Sequence, residues 1–110
     1  MGDPSGSNGS TELGLLLEET AATLGGVLAR TDSSGLTWTV DGQPIASLAG
    51  GTALFRIGRE IGAAALKTPD TSASTLGPEW VGFRPATLDD HARDRAVAWF
   101  GAAHRRADQT

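Results

Sequence analysis

The sequence of 110 residues contains no cysteine and no tyrosine, and it has only two histidines, His91 and His104. Without cysteine the chain can form no disulfide and use no thiolate chemistry, and two imidazoles alone are too few for a structural zinc site. The sequence therefore predicts no metal and no cofactor.

Long apolar runs and an excess of basic residues are also lacking. No run approaches the length of a membrane span, and the N-terminus has neither the basic nor the apolar region of a signal peptide. We therefore expect a cytoplasmic protein with no membrane partner. The net charge of −4 and the pI near 4.9 disfavour nucleic acid, whose phosphates require clustered Lys and Arg, although this partner stays open.

The length is that of one domain. Residues 1–10 are polar or small after Met1 and cannot bury enough surface to offset the entropy of ordering, so we expect a disordered leader. The predicted domain covers residues 11–107, and residues 108–110 form a tail.

The first half of the domain is predicted to be a helix followed by a β-meander. Ser10 is the expected N-cap of the helix, and Gly25 and Gly26 end it. Strands are indicated by period-two alternation, and the dipeptides Asp41-Gly42 and Gly50-Gly51 are typical of tight turns between antiparallel strands. The helical stripe is Leu13, Leu16, Leu17, Ala21 and Leu24, and the strands are Val27 to Arg30, Leu36 to Val40, Pro44 to Leu48 and Thr52 to Ile57.

The second half is predicted to add a short helix, a loop, a strand and a closing helix. Residues 59–67 are rich in alanine and favour a helix, the alternative being one more strand. Residues 68–78 favour a loop and Glu79 to Arg84 a strand. Thr87 is the expected start of the last helix, with Asp90 completing a variant of the capping box.

These elements predict an α+β fold in the order α-β-β-β-β-α-β-α. An antiparallel sheet of four or five strands should carry the N- and C-terminal helices on one face.

This order resembles the TfoX N-terminal-like proteins and their MmcQ/YjbR-like neighbours. The resemblance spans roughly residues 12–107 and is carried by Asp41-Gly42 leading into Ile45-Ala46, by Thr52 to Ile57, and by Pro85 to Asp90 followed by Trp99 and Ala102-Ala103. The Met-Phe-Gly-Gly stretch common before the first TfoX strand is absent. The resemblance implies a small α+β domain with a nucleic-acid or competence-regulation association, and it implies no catalytic residue.

Candidate chemistry is sparse. Asp89, Asp90, His91 and Asp94 are the densest group of possible ligands, but a helix places Asp90 and Asp94 on one face and His91 on another, so helix capping and a solvated face explain them better. No Gly-x-Ser-x-Gly elbow and no Gly-rich phosphate fingerprint occurs. The sequence therefore predicts no catalytic residue.

Strand parity predicts a contact surface. If the apolar positions of the strands face the helices, the alternate positions share the opposite face, and a Trp flanked by Arg and Thr is typical of protein interfaces. The alternative is that residues 68–78, or the hairpin near Thr31, fold over the Trp. The predicted partner-binding face consists of Trp80, Arg84, Arg56, Leu54, Thr37 and Thr39.

The predicted function is therefore that of a non-enzymatic, small intracellular binding or regulatory module, resembling TfoX/YjbR-like domains, which holds a protein partner or a second copy. One alternative is a DNA-associated transcriptional or competence regulator, for which the closing helix offers a strip of Arg93, Arg95, Arg105 and Arg106. The other is a small enzyme of unknown reaction.

Overall fold

A computed structural model describes residues 5–33 and 35–108 of the chain. Three helices and six strands form an α+β fold. The helices are α1 (Ser5–Thr23), α2 (Arg59–Ala65) and α3 (Asp90–Asp108). The strands are β1 (Val27–Asp32), β2 (Gly35–Val40), β3 (Gln43–Ala49), β4 (Thr52–Arg56), β5 (Thr71–Ala73) and β6 (Trp80–Phe83).

The six strands form one antiparallel sheet in the order β1-β2-β3-β4-β6-β5. The first four make the predicted meander. Its two tight turns have positive φ at both central residues, 52° and 81° at Asp41 and Gly42 and 58° and 85° at Gly50 and Gly51. Such turns match the right-handed twist of the strands they join.

The prediction of four or five strands is wrong by one strand, because residues 68–78 contain β5. This strand of three residues is too short to show alternation in the sequence. It pairs with β6, and the backbone N–H of Arg84 extends the pairing to the carbonyl of Asp70 at 2.9 Å. The single proton of the Thr71 hydroxyl is shared between the carbonyls of Thr68 at 2.9 Å and Ala65 at 3.1 Å, which fixes the entry to the strand.

The helix boundaries also differ from the predicted ones. The first helix begins at Ser5, so residues 5–10 of the predicted leader belong to α1, while residues 1–4 and 109–110 lie outside the described part of the chain. The helix predicted at residues 59–67 is confirmed and ends at Ala65. No helix in the described ranges is long and apolar enough to cross a membrane.

The predicted capping of the last helix is wrong. α3 begins at Asp90, and Asp89 is the capping residue, because its Oδ1 accepts a hydrogen bond of 2.9 Å from the N–H of Ala92. An aspartate satisfies a free N–H of the first turn and interacts favourably with the positive helix end. The Asp89 carboxylate thus has a structural role.

The core lies between the sheet and the helices, and five of the six aromatic side chains of the protein meet there. Trp38 contacts Phe100 edge to face at 5.4 Å between ring centroids, and Trp99 contacts Phe83 at 5.1 Å in the same manner. Phe55 lies 6.2 Å from both Phe100 and Trp99. The rings form one continuous chain from β2 to β6 through α3, and edge-to-face pairs add to the free energy of burial.

We expect Phe100→Ala to lower the free energy of unfolding by about 3 to 5 kcal/mol, because the change removes a fully buried ring and leaves a cavity at the centre of this chain. Urea denaturation followed by far-UV circular dichroism measures the loss. The matched control is Val97→Ala on the exposed side of the same helix, for which about 0.5 kcal/mol or less is expected. Equal losses in the two variants would contradict the proposed role of the aromatic core.

Candidate functional site

The sheet positions that alternate with the core lie on the sheet face opposite the one that packs against α1 and α3. Trp38, Phe55 and Val81 are buried in the core, as the parity of the strands predicted. On the alternate positions, Thr37 lies opposite Ser47, Ser47 opposite Leu54, and Leu54 opposite Gly82. This row of uncharged residues crosses four strands of the open face.

Trp80 is the single aromatic residue outside the core. It begins β6, lies opposite Arg56 of β4 and is half-buried. The sequence left open whether the preceding segment covers this ring, and the structure shows partial cover by the segment that includes Gly77 and Pro78.

A groove lies on each side of Trp80. The first, of about 520 Å³, separates Trp80 from α2, and the second, of about 300 Å³, separates it from Pro44 of β3. Both are open and mainly lined by uncharged side chains. The first is lined by Arg59, Ala63, Leu66, Ala73, Ser74, Gly77, Pro78 and Trp80, and the second by Pro44, Arg56, Leu76, Gly77, Pro78, Glu79 and Trp80. We call Trp80 with these two grooves the Trp80 surface.

A bulge in β3 brings Pro44 to the Trp80 surface. Trp38 pairs with Ala46 and Thr39 pairs with Pro44, so Ile45 is an extra residue in β3. Ile45 and Ala46 are both buried, which shifts the alternation by one position and leaves Pro44 exposed.

The structure brings together only some of the six predicted residues. Arg56 lines a groove with Trp80, and Thr39 pairs with Pro44 of that groove. Leu54 and Thr37 lie in the neighbouring row of the open face. Arg84 is four residues beyond Trp80, about 13 Å along an extended strand, and therefore lies outside the Trp80 surface.

Sequence reasoning missed the apolar members that come from outside the strands, namely Leu66, Leu76 and Pro78. Leu66 and Leu76 are 45% and 58% exposed. For Leu76, the available signal was an isolated leucine among turn-forming residues in a segment predicted to be a loop. Such a residue has no strand or helix period, so its neighbours could not be inferred.

Glu79, which precedes β6 and lines the second groove, is paired with two arginines. Its Oε1 accepts a hydrogen bond from Arg106 Nη2 of α3 at 2.9 Å and one from Arg56 Nε of β4 at 3.0 Å. These bonds, that from Arg106 above all, hold the pKa of the Glu79 carboxyl below its ordinary value. Arg56 is thus ion-paired with Glu79 and is not a free cation on the open face.

The four arginines of the predicted strip on α3 do not act together. Arg95 lies over the rings of Phe83 and Trp99, at 5.0 and 5.9 Å from their centroids, and donates to the carbonyl of Pro69 at 2.7 Å. Arg106 is bound to Glu79. In the described part of the chain, no three potential metal ligands come close enough together to hold an ion.

Comparison of the chain with protein-family models, with curated proteins and with solved structures found no match in any of the three. The resemblance to TfoX N-terminal-like and MmcQ/YjbR-like proteins stays a prediction from the sequence.

We expect the stabilising effect of Glu79 to depend on pH. Because the pKa is lowered in the folded protein, the carboxylate contributes its full stabilisation above the unfolded glutamic-acid pKa of about 4.3 and loses it as the pH falls through the lowered pKa. The difference in free energy of unfolding between the wild type and Glu79→Gln should therefore be largest near neutral pH and shrink in acid.

Urea denaturation at a series of pH values measures this difference. Repeating the comparison in an Arg106→Gln background is the control, and there the difference should be smaller because the main partner is gone. A difference that stays constant from neutral to acid pH would contradict the prediction.

Proposed function

We propose that this chain is a small, non-enzymatic binding or regulatory module, of the type that the TfoX/YjbR-like resemblance implies, and that its Trp80 surface holds a protein. The observation that carries the proposal is the position of Trp80. Five aromatic residues are joined in the core, whereas this one lies half-buried between two grooves.

The chemistry of the Trp80 surface suits a protein partner. Trp is enriched among the residues that dominate interface energies, above all where it is surrounded by pockets and by side chains that exclude water. Two exposed leucines, Leu66 and Leu76, rim the grooves. The neighbouring row of Thr37, Ser47 and Leu54 is uncharged, which lowers the cost of removing water from the sheet face.

Two kinds of occupant suit this surface, a second copy of the chain and another protein. The open face belongs to a sheet whose edge strands are β1 and β5, and β5 adjoins the Trp80 surface through Ala73. A partner that covers Trp80 can therefore also reach backbone groups at this edge.

The arrangement of the arginines on α3 does not favour the alternative of a DNA-associated regulator, because Arg95 and Arg106 are engaged with the protein itself. A duplex ligand requires a continuous row of free cations.

A photoactivatable cross-linker at position 76 tests the proposal in the source cell. We expect an adduct from this position, because Leu76 rims a groove and is 58% exposed. Trp80→Ala should weaken binding by about tenfold or more and remove the adduct. The matched control is the same cross-linker at position 97, an exposed aliphatic position on α3.

Sedimentation of the purified chain over a wide concentration range separates the two occupants. Association that Trp80→Ala abolishes identifies the adduct as a second copy, and a monomer identifies it as another protein. Urea denaturation of Trp80→Ala shows that the variant is folded. The proposal would be overturned if the chain is a monomer and position 76 gives either no adduct or an adduct that persists in Trp80→Ala.

A further inference from the structure

A cleft of about 470 Å³ lies between the start of α2 and the C-terminal half of α3. It is separate from the row of residues on the open sheet face. The cleft combines charged and apolar side chains. They are Ile57, Gly58, Arg59, Glu60, Ile61, Glu79, Ala102, Arg105 and Arg106.

The lining of this cleft carries a small net positive charge, although the chain carries a net charge of −4. Three arginines line it against two glutamates. One of the glutamates, Glu79, is already paired, since its Oε1 accepts hydrogen bonds from both Arg56 and Arg106. Glu60 is exposed at the beginning of α2.

Two of the arginines have guanidinium groups that are available to a ligand. In the described part of the chain, neither Arg59 nor Arg105 takes part in an ion pair or a side-chain hydrogen bond. Arg105 lies back along α3, and a Cβ added at Gly101 would be 3.4 Å from its Nη1. Its guanidinium therefore lies beside Gly101 on the helix, and Arg105 lines the cleft together with Ala102.

The third arginine of the cleft lining, Arg106, is held in place by its neighbours. Glu79 binds its Nη2, and its guanidinium packs beside Gly58, where an added Cβ would lie 3.5 Å from Nη1. The Nε of Arg106 is buried and makes no hydrogen bond within the described part of the chain. A buried donor without a partner is costly unless water or a ligand satisfies it.

The cleft also has an apolar wall. Ile57 and Ala102 are buried, and Ile61 is 45% exposed although it lines the cleft. A ligand that carried an apolar group would cover Ile61 while its anionic end met the arginines.

From these observations we propose that the cleft between α2 and α3 binds a small organic oxyanion, a carboxylate or a phosphate monoester that carries an apolar group. Arg105 and Arg59 bind the anionic oxygens, because guanidinium groups form charge-assisted and often paired hydrogen bonds with both kinds of oxyanion. Arg106, fixed by Glu79, supplies a stationary positive charge, and Ile61 contacts the apolar group.

Titration of the isotopically labelled full chain by two-dimensional NMR tests this inference, with phenyl phosphate, benzoate and inorganic phosphate as probes. We expect saturable shifts confined to residues 57–61 and 101–106. Phenyl phosphate should bind more tightly than inorganic phosphate, because only the former covers Ile61. Binding by phenyl phosphate alone identifies a phosphate site, and binding by benzoate as well identifies a general oxyanion site.

Arg105→Gln is the decisive variant, because Arg105 lines the cleft but neither groove of the Trp80 surface. Arg59 is less suitable, since it lines both the cleft and one of those grooves. Arg105→Gln should weaken phenyl phosphate binding by about tenfold, the loss expected for a hydrogen bond to a charged group. Arg93→Gln is the matched control, with the same change of charge at an exposed position of the same helix, and it should leave binding unchanged.

Equal weakening by Arg93→Gln would show unspecific attraction of anions and overturn the inference. Shifts that do not saturate, or saturable binding of a short DNA duplex without binding of phenyl phosphate or benzoate, would overturn it also. None of these results depends on Trp80. Failure here therefore leaves the proposed protein-binding function untouched, and Trp80→Ala should leave phenyl phosphate binding unchanged.

Discussion

The packing of α3 on the sheet is the interaction on which the rest of the structure depends. Phe100 and Trp99 of this helix lie between the rings of Trp38, Phe55 and Phe83, which come from β2, β4 and β6. Strands β4 and β6 are neighbours in the sheet although α2 and β5 separate them in sequence. The helix thus connects the meander with the later strands, and few other large side chains are available to do so in a protein with six aromatic residues.

Polar contacts at both ends of α3 fix its position along the sheet. Near the beginning, Arg95 stacks on Phe83 and binds the carbonyl of Pro69, and toward the end, His104 Nε2 lies 2.8 Å from the carbonyl of Gly25 and Arg106 binds Glu79. Ring packing tolerates sliding more readily than hydrogen bonds do, because dispersion is not directional. The aromatic core therefore supplies most of the stabilisation, while these contacts determine where the helix ends lie.

The sequence was informative wherever the side-chain period was long enough to be recognised. The alternation of Trp38 and Val40 with Thr37 and Thr39 predicted both faces of β2, and Asp41-Gly42 predicted the turn that follows. β5 was not predicted because three residues are too few to show an alternation. The cap at Asp89 was not predicted because Thr87 also fits the capping-box pattern. The grooves beside Trp80 and the cleft at Arg105 combine residues that are distant in sequence, so only the tertiary structure could reveal them.

Glu79 stands at the boundary between the two candidate sites. It lines the groove between Trp80 and Pro44 and also the cleft between α2 and α3. Its carboxylate joins Arg56 of the sheet to Arg106 of the helix, so both sites share one wall that is held by an ion-pair network. Since both arginines donate to the same oxygen, a shift of one guanidinium alters the electrostatic environment of the other. Changes at Glu79 therefore affect both surfaces, whereas Trp80 and Arg105 each belong to one of them and can be varied separately.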